Sequence, residues 1–228
     1  MSTNPVIIDI VSDIVCPWCW LGKQYLDTAL HDTQYEVRIN WHPFMLDPDV
    51  PPEGAPYKDY MKKKFGGSKT GETDRFKSMR THLEHAAGPA GIAFDFDNIS
   101  IRPNTLKAHQ LMKWAAGQNK ADLASEALFK AFFVDGQNIS DIQTLSQIAT
   151  SIGMDGPLVQ ELLDQGRDEN TIRTEMAYFQ HLRIHSVPTF IYNAQIIVQG
   201  GQPAEIHKQA LERAATLETK DILSIIKS

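Results

Sequence analysis

The first 44 residues constrain the fold most. Pro5 to Val11 reads Pro-Val-Ile-Ile-Asp-Ile-Val, a nearly continuous β-branched run of the kind that forms a buried central strand. Ser12-Asp13 breaks the run. Residues 17–31 then read as a helix, with Pro17 at an N-terminal position where its missing N–H costs little. Residues 36–44 alternate Val37, Ile39 and Trp41 against Arg38, Asn40 and His42, which is strand periodicity. The three segments make a β-α-β unit. Cys16 and Cys19, the two cysteines of the chain, stand where its first strand enters its helix.

A proline-rich loop follows at 47–56, and the pattern then turns helical for about 130 residues. Helices are expected over 57–65, 72–87, 104–117, 120–133, 141–152, 156–165 and 168–184. Ser140 or Asp141 can cap one N-terminus, and Gly153 and Gly166 sit at expected C-termini. In the last of these helices, Ile172, Met176 and Phe179 share a face. Strand signals return at 189–193 and 195–199, joined by Asn193-Ala194 as a hairpin. Pro203 starts a helix to 217, and a further short helix is expected up to 227. The organisation is α/β, reading βαβ, then a helical block, then ββα.

Composition sets the outer limits. With 228 residues the chain can bury a core without disulfide staples, and two cysteines exclude both a disulfide framework and a four-cysteine zinc site. A net charge of −6 gives no global electrostatic reason to bind nucleic acid or an anionic membrane. No stretch approaches the roughly 18 apolar residues of a membrane helix. The N-terminus carries no basic region, apolar core or cleavage site of a secretory leader. It reads as unprocessed, and the chain as cytoplasmic. Lys62-Lys63-Lys64 reads as a solvated helix edge.

A cytosolic chain seldom keeps a structural disulfide, so Cys16-Pro17-Trp18-Cys19 points to redox or metal chemistry. Cysteines three apart at a helix start lie about 300° around the axis and about 4.5 Å along it, close enough for a disulfide with modest distortion. Cys16 at the helix edge is expected to be the exposed sulfur, its thiolate favoured by unpaired N–H groups and the helix dipole. Cys19, one turn in, is expected to be more buried and to resolve the mixed disulfide. Two alternatives stay open. A zinc site needs two further ligands, for which His181 and His185 come nearest, and the pair could be inert core cysteines. Haem attachment is discarded because Trp20 stands where a histidine is required. No metal is expected. A CxxC beside a βαβ pattern is a thioredoxin-like signature, and the redox reading is the stronger.

Ser186-Val187-Pro188-Thr189-Phe190 supplies a second feature. Proline at the start of a strand demands explanation. A cis Val187–Pro188 bond would turn the chain and leave the Val187 backbone free to pair with an extended substrate. Trp18 and Trp20 are candidates for an apolar rim for unfolded-protein or thiol substrates, with Trp20 equally suited to the core. Trp114, among Met112, Ala115 and Ala116, reads as packing.

Asp13-Ile-Val-Cys-Pro-Trp-Cys-Trp-Leu-Gly22-Lys23 resembles the opening of the DsbA-like family of FrnE-type oxidoreductases. Trp41-His-Pro-Phe44 with Leu46-Asp47-Pro48, Arg102-Pro-Asn-Thr105 with Ala108-His109, and Leu128-Phe-Lys-Ala-Phe132 with Gly136, Ile139 and Asp141 agree in order. So does Val187-Pro-Thr-Phe190 with Gly200-Gly201-Gln202-Pro203. Met45 departs from the pattern, since a glutamate is common there. The resemblance implies a thioredoxin-like fold with a large all-helical insertion: residues 1–50 and 185–228 form the discontinuous thioredoxin-like domain and 51–184 the insertion. It implies Cys16 as attacking and Cys19 as resolving cysteine, and Pro188 as the cis-proline. It also implies a groove-facing segment at Asn104, Thr105 and His109, although His109 serves equally as a hydrogen-bonded core residue.

The expected function is thiol–disulfide exchange on disulfide-containing proteins or small thiols. It uses the redox-active Cys16–Cys19 pair, with glutathione as a candidate co-substrate, and leaves a homodimer open. Pro17, Trp18, Val187 and Pro188 are the expected substrate contacts beside the cysteines. Pro-Trp between the cysteines holds no histidine to stabilise a thiolate, which predicts a less oxidising pair than Pro-His would give. The competing classes are a glutathione-dependent isomerase or transferase, whose relatives carry serine at the first motif position, and a redox-regulated chaperone.

Overall fold

The β-branched run at the start of the chain forms an inner strand of a four-stranded sheet. A computed structural model describes residues 5–65, 74–220 and 222, with 74–77 as backbone only. In chain order the elements are β1 (Val6–Ser12), α1 (Pro17–Leu30), β2 (Val37–Pro43), β3 (Ala55–Pro56), α2 (Tyr57–Phe65), α3 (Asp74–Ala87), β4 (Ile101–Arg102) and α4 (Leu106–Ala116). There follow α5 (Ala121–Phe133), α6 (Ile142–Ser151), α7 (Gly156–Asp164), α8 (Glu169–His181), β5 (Thr189–Tyr192), β6 (Ile196–Gln199) and α9 (Ala204–Ala215). The chain divides into two units, Met1–Phe44 with Arg173–Ser228, and Met45–Ile172. The helix expected up to 227 falls largely outside the described residues, as do positions 72 and 73.

In the first unit the sheet order is β2-β1-β5-β6. β1 runs parallel to β2 and antiparallel to β5, and β5 is antiparallel to β6. β1 thus has a strand on each side, and both of its faces are covered. Ile8 and Ile10 pack with Leu26 of α1, Phe190 and Tyr192 of β5, and Ala210, Leu211 and Ala214 of α9. On the opposite face Val11 packs with Phe44, Phe179, Ile184 and Ile191. Side chains two apart share a face, so burial on both faces is what a strand without polar alternation requires.

The β5–β6 hairpin turns on Asn193 and Ala194, both with positive φ, 49° and 54°. Asn193 suits this turn and is fixed there: Ile7 N–H donates to its Oδ1 at 2.8 Å, and its Nδ2 donates to Ala214 O at 3.0 Å. At Ala194 a left-handed conformation is strained for a residue with a Cβ.

Two buried histidines sit in this unit in opposite environments. His42 Nε2 lies 2.9 Å from Asp9 Oδ1 and its Nδ1 2.7 Å from Glu175 Oε1, with Phe179 against the ring. Burial opposes its charge, yet the two carboxylates more than compensate and raise its pKa. Among the described residues, the side chains against His207 are neutral. Its Nδ1 lies 2.6 Å from Tyr192 Oη and the Phe190 ring meets it edge-on. Burial pushes its pKa down to about 4.

In the second unit, Leu111, Ala115, Leu128, Phe129, Phe132 and Phe133 are buried, so Ala115 rather than Ala116 belongs to the core of α4. Asp141 and Asp155 cap α6 and α7 by accepting from Thr144 N–H and Leu158 N–H. The loop expected over 47–56 ends in β3, which pairs with β4 in the register Ala55–Arg102 and Pro56–Ile101. Asp47 is buried within that loop, with Arg102 and Lys64 on its carboxylate. These cations hold its pKa below the usual carboxylate range. Lys62, Lys63 and Lys64 are exposed, as expected of a solvated helix edge, and Lys64 in addition supplies part of the compensating charge that a buried carboxylate needs.

Candidate active site

α1 opens directly on the cysteines. Cys16 has extended backbone angles as the N-cap, φ −99° and ψ 108°, and Pro17 is the first helical residue. The Cys16 side chain makes no cap hydrogen bond, and Pro17 at the first helical position has no N–H to satisfy. Cys16 N–H bonds to Asp13 O, which closes the turn out of β1, and Cys19 N–H bonds to Cys16 O. Both thiols are free.

The expectation that Cys16 is exposed is corrected. It is 4% exposed and Cys19 1%. The Cys16 thiol donates to the carbonyl of Val187 at 3.7 Å, across 171 residues of sequence, so the chain entering β5 lies against the sulfur. The Val187–Pro188 peptide bond is cis. Trp18 is half-buried and Trp20 is buried, which assigns Trp20 to the core.

Two glycines allow this approach. A Cβ on Gly22 would lie 3.1 Å from the Phe190 ring and 3.2 Å from Pro188 Cγ. One on Gly201 would meet Trp18 O at 3.2 Å and the Trp18 ring at 3.3 Å. Pro188 O in turn accepts from Gly200 N–H at 2.8 Å. The corner is thus assembled from α1, the start of β5 and the turn after β6, all in the first unit.

Burial pushes the Cys19 thiol well above its ordinary pKa, and the adjacent Cys16 sulfur pushes the same way. The Ser12 side chain and the Asp13 backbone face the Cys19 sulfur and pull it back down by less. A thiolate at Cys16 therefore opposes a second one at Cys19, and the two sulfurs are chemically unequal.

Asn104, Thr105 and His109 lie in the second unit. Asn104 builds the start of α4: its Oδ1 accepts from Leu106 N–H at 3.1 Å and its Nδ2 donates to Val50 O at 2.7 Å. Thr105 and His109 are buried. Among the described residues no group of three or more His, Cys, Asp or Glu side chains is arranged to hold a metal ion, and no helix is long and apolar enough to cross a membrane.

Sequence reading passed over Ser12, Gly22 and Gly201 as site residues. Ser12 carried a signal, a polar residue ending an apolar strand just before the motif. The glycines had none of their own, because their role is the space they leave for residues far along the chain.

Comparison with known proteins identifies the domain and its fold. Residues 7–212 match the model of the DSBA-like thioredoxin domain. The chain is 29% identical over 216 residues to the uncharacterized protein YwbO of Bacillus subtilis (strain 168), covering 94% of this chain and 98% of that one. The probable DsbA oxidoreductase SCO1869 from Streptomyces coelicolor superposes with a TM-score of 0.83 at 25% identity, over 95% of this chain and 92% of that one. The cytosolic disulfide reductase DsbM from Pseudomonas aeruginosa, solved with GSH, shares the fold. It gives a TM-score of 0.61 at 19% identity, over 92% of this chain and 100% of that one. With its βαβ and ββα segments, its paired thiols and a match over nearly its whole length, the chain belongs to the DsbA-like thioredoxin-domain family of thiol–disulfide oxidoreductases.

Proposed function

We propose that the chain is a dithiol–disulfide oxidoreductase that reduces or isomerises protein or small-molecule disulfides in the cytoplasm. The observation that carries this reading is the unequal pair of free thiols at one corner. Cys16 sits at the open end of α1, against the Val187 carbonyl, and Cys19 one turn in with its ionisation opposed. The Cys16 thiolate attacks a substrate disulfide, forms a mixed disulfide and releases one substrate sulfur, which takes up a proton. Cys19 then attacks the Cys16 sulfur, closes the Cys16–Cys19 disulfide and releases the second substrate thiol. Two electrons pass to the substrate, and two glutathione molecules, as co-substrate, return the pair to the dithiol.

The Val187 backbone at Pro188 serves to align an extended substrate, with Pro17 and Trp18 beside it. Asn104, Thr105 and His109 are assigned to substrate binding on the resemblance of their segment alone, and the second unit is read as an insertion in a thioredoxin-like domain. The Pro-Trp dipeptide makes the pair less oxidising than a Pro-His pair. A glutathione transferase is the competing class, and a cysteine at position 16 favours exchange over it. Trapping separates the two. Cys19→Ser should accumulate mixed disulfides at Cys16, identified by mass spectrometry, and lose dithiol turnover. Absence of Cys16 adducts, or turnover that survives the loss of Cys19, would refute the exchange mechanism.

A further inference from the structure

We propose that Ser12 is a catalytic residue of the second half-reaction, its hydroxyl donating a hydrogen bond to the Cys19 sulfur as that sulfur becomes the nucleophile. The inference rests on the exchange mechanism above and assigns a part of it to a residue outside the motif. Ser12 ends β1, four residues before Cys16. Its backbone is held on the far side, since Ser12 O accepts from Phe44 N–H at 3.0 Å. The residue is 2% exposed, and its Oγ makes no hydrogen bond of full geometry among the described residues in the dithiol form. A buried hydroxyl without a partner is costly, so its presence beside a buried sulfur calls for a reason. The Oγ faces Cys19, where a donor favours the thiolate over the thiol.

The need arises only in the second step. Once Cys16 is tied up in a mixed disulfide, its negative charge no longer opposes ionisation of Cys19, but burial still does. Cys19 must lose its proton in a place where water does not reach the sulfur. In the step itself the Cys19 Sγ–H bond breaks, a Cys16–Cys19 S–S bond forms, and the bond between Cys16 and the substrate sulfur breaks. The substrate leaves as a thiolate and is reprotonated by the proton lost from Cys19. Ser12 keeps its own proton throughout. Its O–H turns toward a sulfur whose acceptor strength rises as negative charge develops, so the bond is stronger in the transition state than in the resting dithiol. Interactions of that kind accelerate a step.

The test uses the full chain and a chromogenic aromatic disulfide that releases one coloured thiolate on attack by Cys16 and a second on resolution by Cys19. In Ser12→Ala the first phase should stay within about twofold of wild type, which also reports a folded corner. The second should slow roughly 10- to 100-fold, the range of a hydrogen bond to a charged group. Its pH midpoint should move upward. Ser12→Gly, which also lacks the donor, should behave the same way. A second phase in both variants within twofold of wild type, with an unmoved pH midpoint, would overturn the assignment to Ser12. A wild-type protein that shows no second phase would overturn the exchange mechanism itself, and this role with it.

Discussion

The environment of His207 predicts how the stability of the fold depends on pH. The imidazole is buried among Phe190, Tyr192 and α9, with a pKa pushed down to about 4 against an ordinary 6.5. In the unfolded chain it takes up a proton as the pH falls through 6.5, while in the folded chain it stays neutral until about 4. Across that window the unfolded state binds more protons, so stability falls as the pH falls. A gap of about 2.5 units at about 1.4 kcal/mol per unit amounts to about 3 kcal/mol lost between pH 6.5 and pH 4. His42 acts in the opposite sense. Its pKa is raised, so its contribution is complete below 6.5 and is lost as the pH rises through the folded value. The two histidines together place maximum stability near pH 6.5. Urea unfolding at a series of pH values, extrapolated to water, gives the profile. In His207→Gln, which keeps a polar group but cannot titrate, the acid side should flatten by about 3 kcal/mol while the alkaline side is unchanged. Parallel profiles for wild type and His207→Gln would show that burial of this ring does not set the acid sensitivity.

Two further outcomes follow from buried and strained positions. His42→Leu removes the imidazole between Asp9 and Glu175 and leaves buried Asp9 with Asn40 as its one remaining side-chain donor among the described residues. It should cost about 3–5 kcal/mol near neutral pH and abolish the alkaline decline, read by the same unfolding series. Ala194→Gly relieves a non-glycine residue at φ 54° and should raise stability by about 0.5–1 kcal/mol, read as a higher midpoint of thermal unfolding.

The parts of the fold that were legible in the sequence are those whose signal is local and repeated. β1, α1, β2 and the ββα end were placed within a residue or two because periodicity and β-branched content hold over many positions. β3 and β4 escaped because two residues have no period, and a proline-rich stretch argues for loop. The sequence predicts α8 to run to 184, and it ends at His181. The chain turns there with Arg183 at φ 62°, and Ile184 N–H bonds back to Phe179 O, a helix stop with no glycine to announce it. At the site the paired cysteines were plain, but burial of Cys16 was not, because it depends on Val187 arriving from 171 residues away. The raised pKa of His42 was hidden for the same reason, since one of the carboxylates that raise it lies 133 residues along the chain.

That correction changes what orders the two thiols. Exposure cannot, since Cys16 and Cys19 are both nearly enclosed. Their places on α1 can. Cys16 is the N-cap, one residue before the first helical residue, at the positive end of the helix dipole. Cys19 lies inside the first turn, its own N–H already bonded to Cys16 O, so the helix end offers it nothing more. Its thiolate depends instead on groups from outside the helix, the Ser12 side chain and the Asp13 backbone at the end of β1. The attacking thiol thus stands at the end of the helix, and the resolving thiol depends on the end of the strand. The two meet at the turn of residues 12–16, which the Asp13 to Cys16 backbone bond closes.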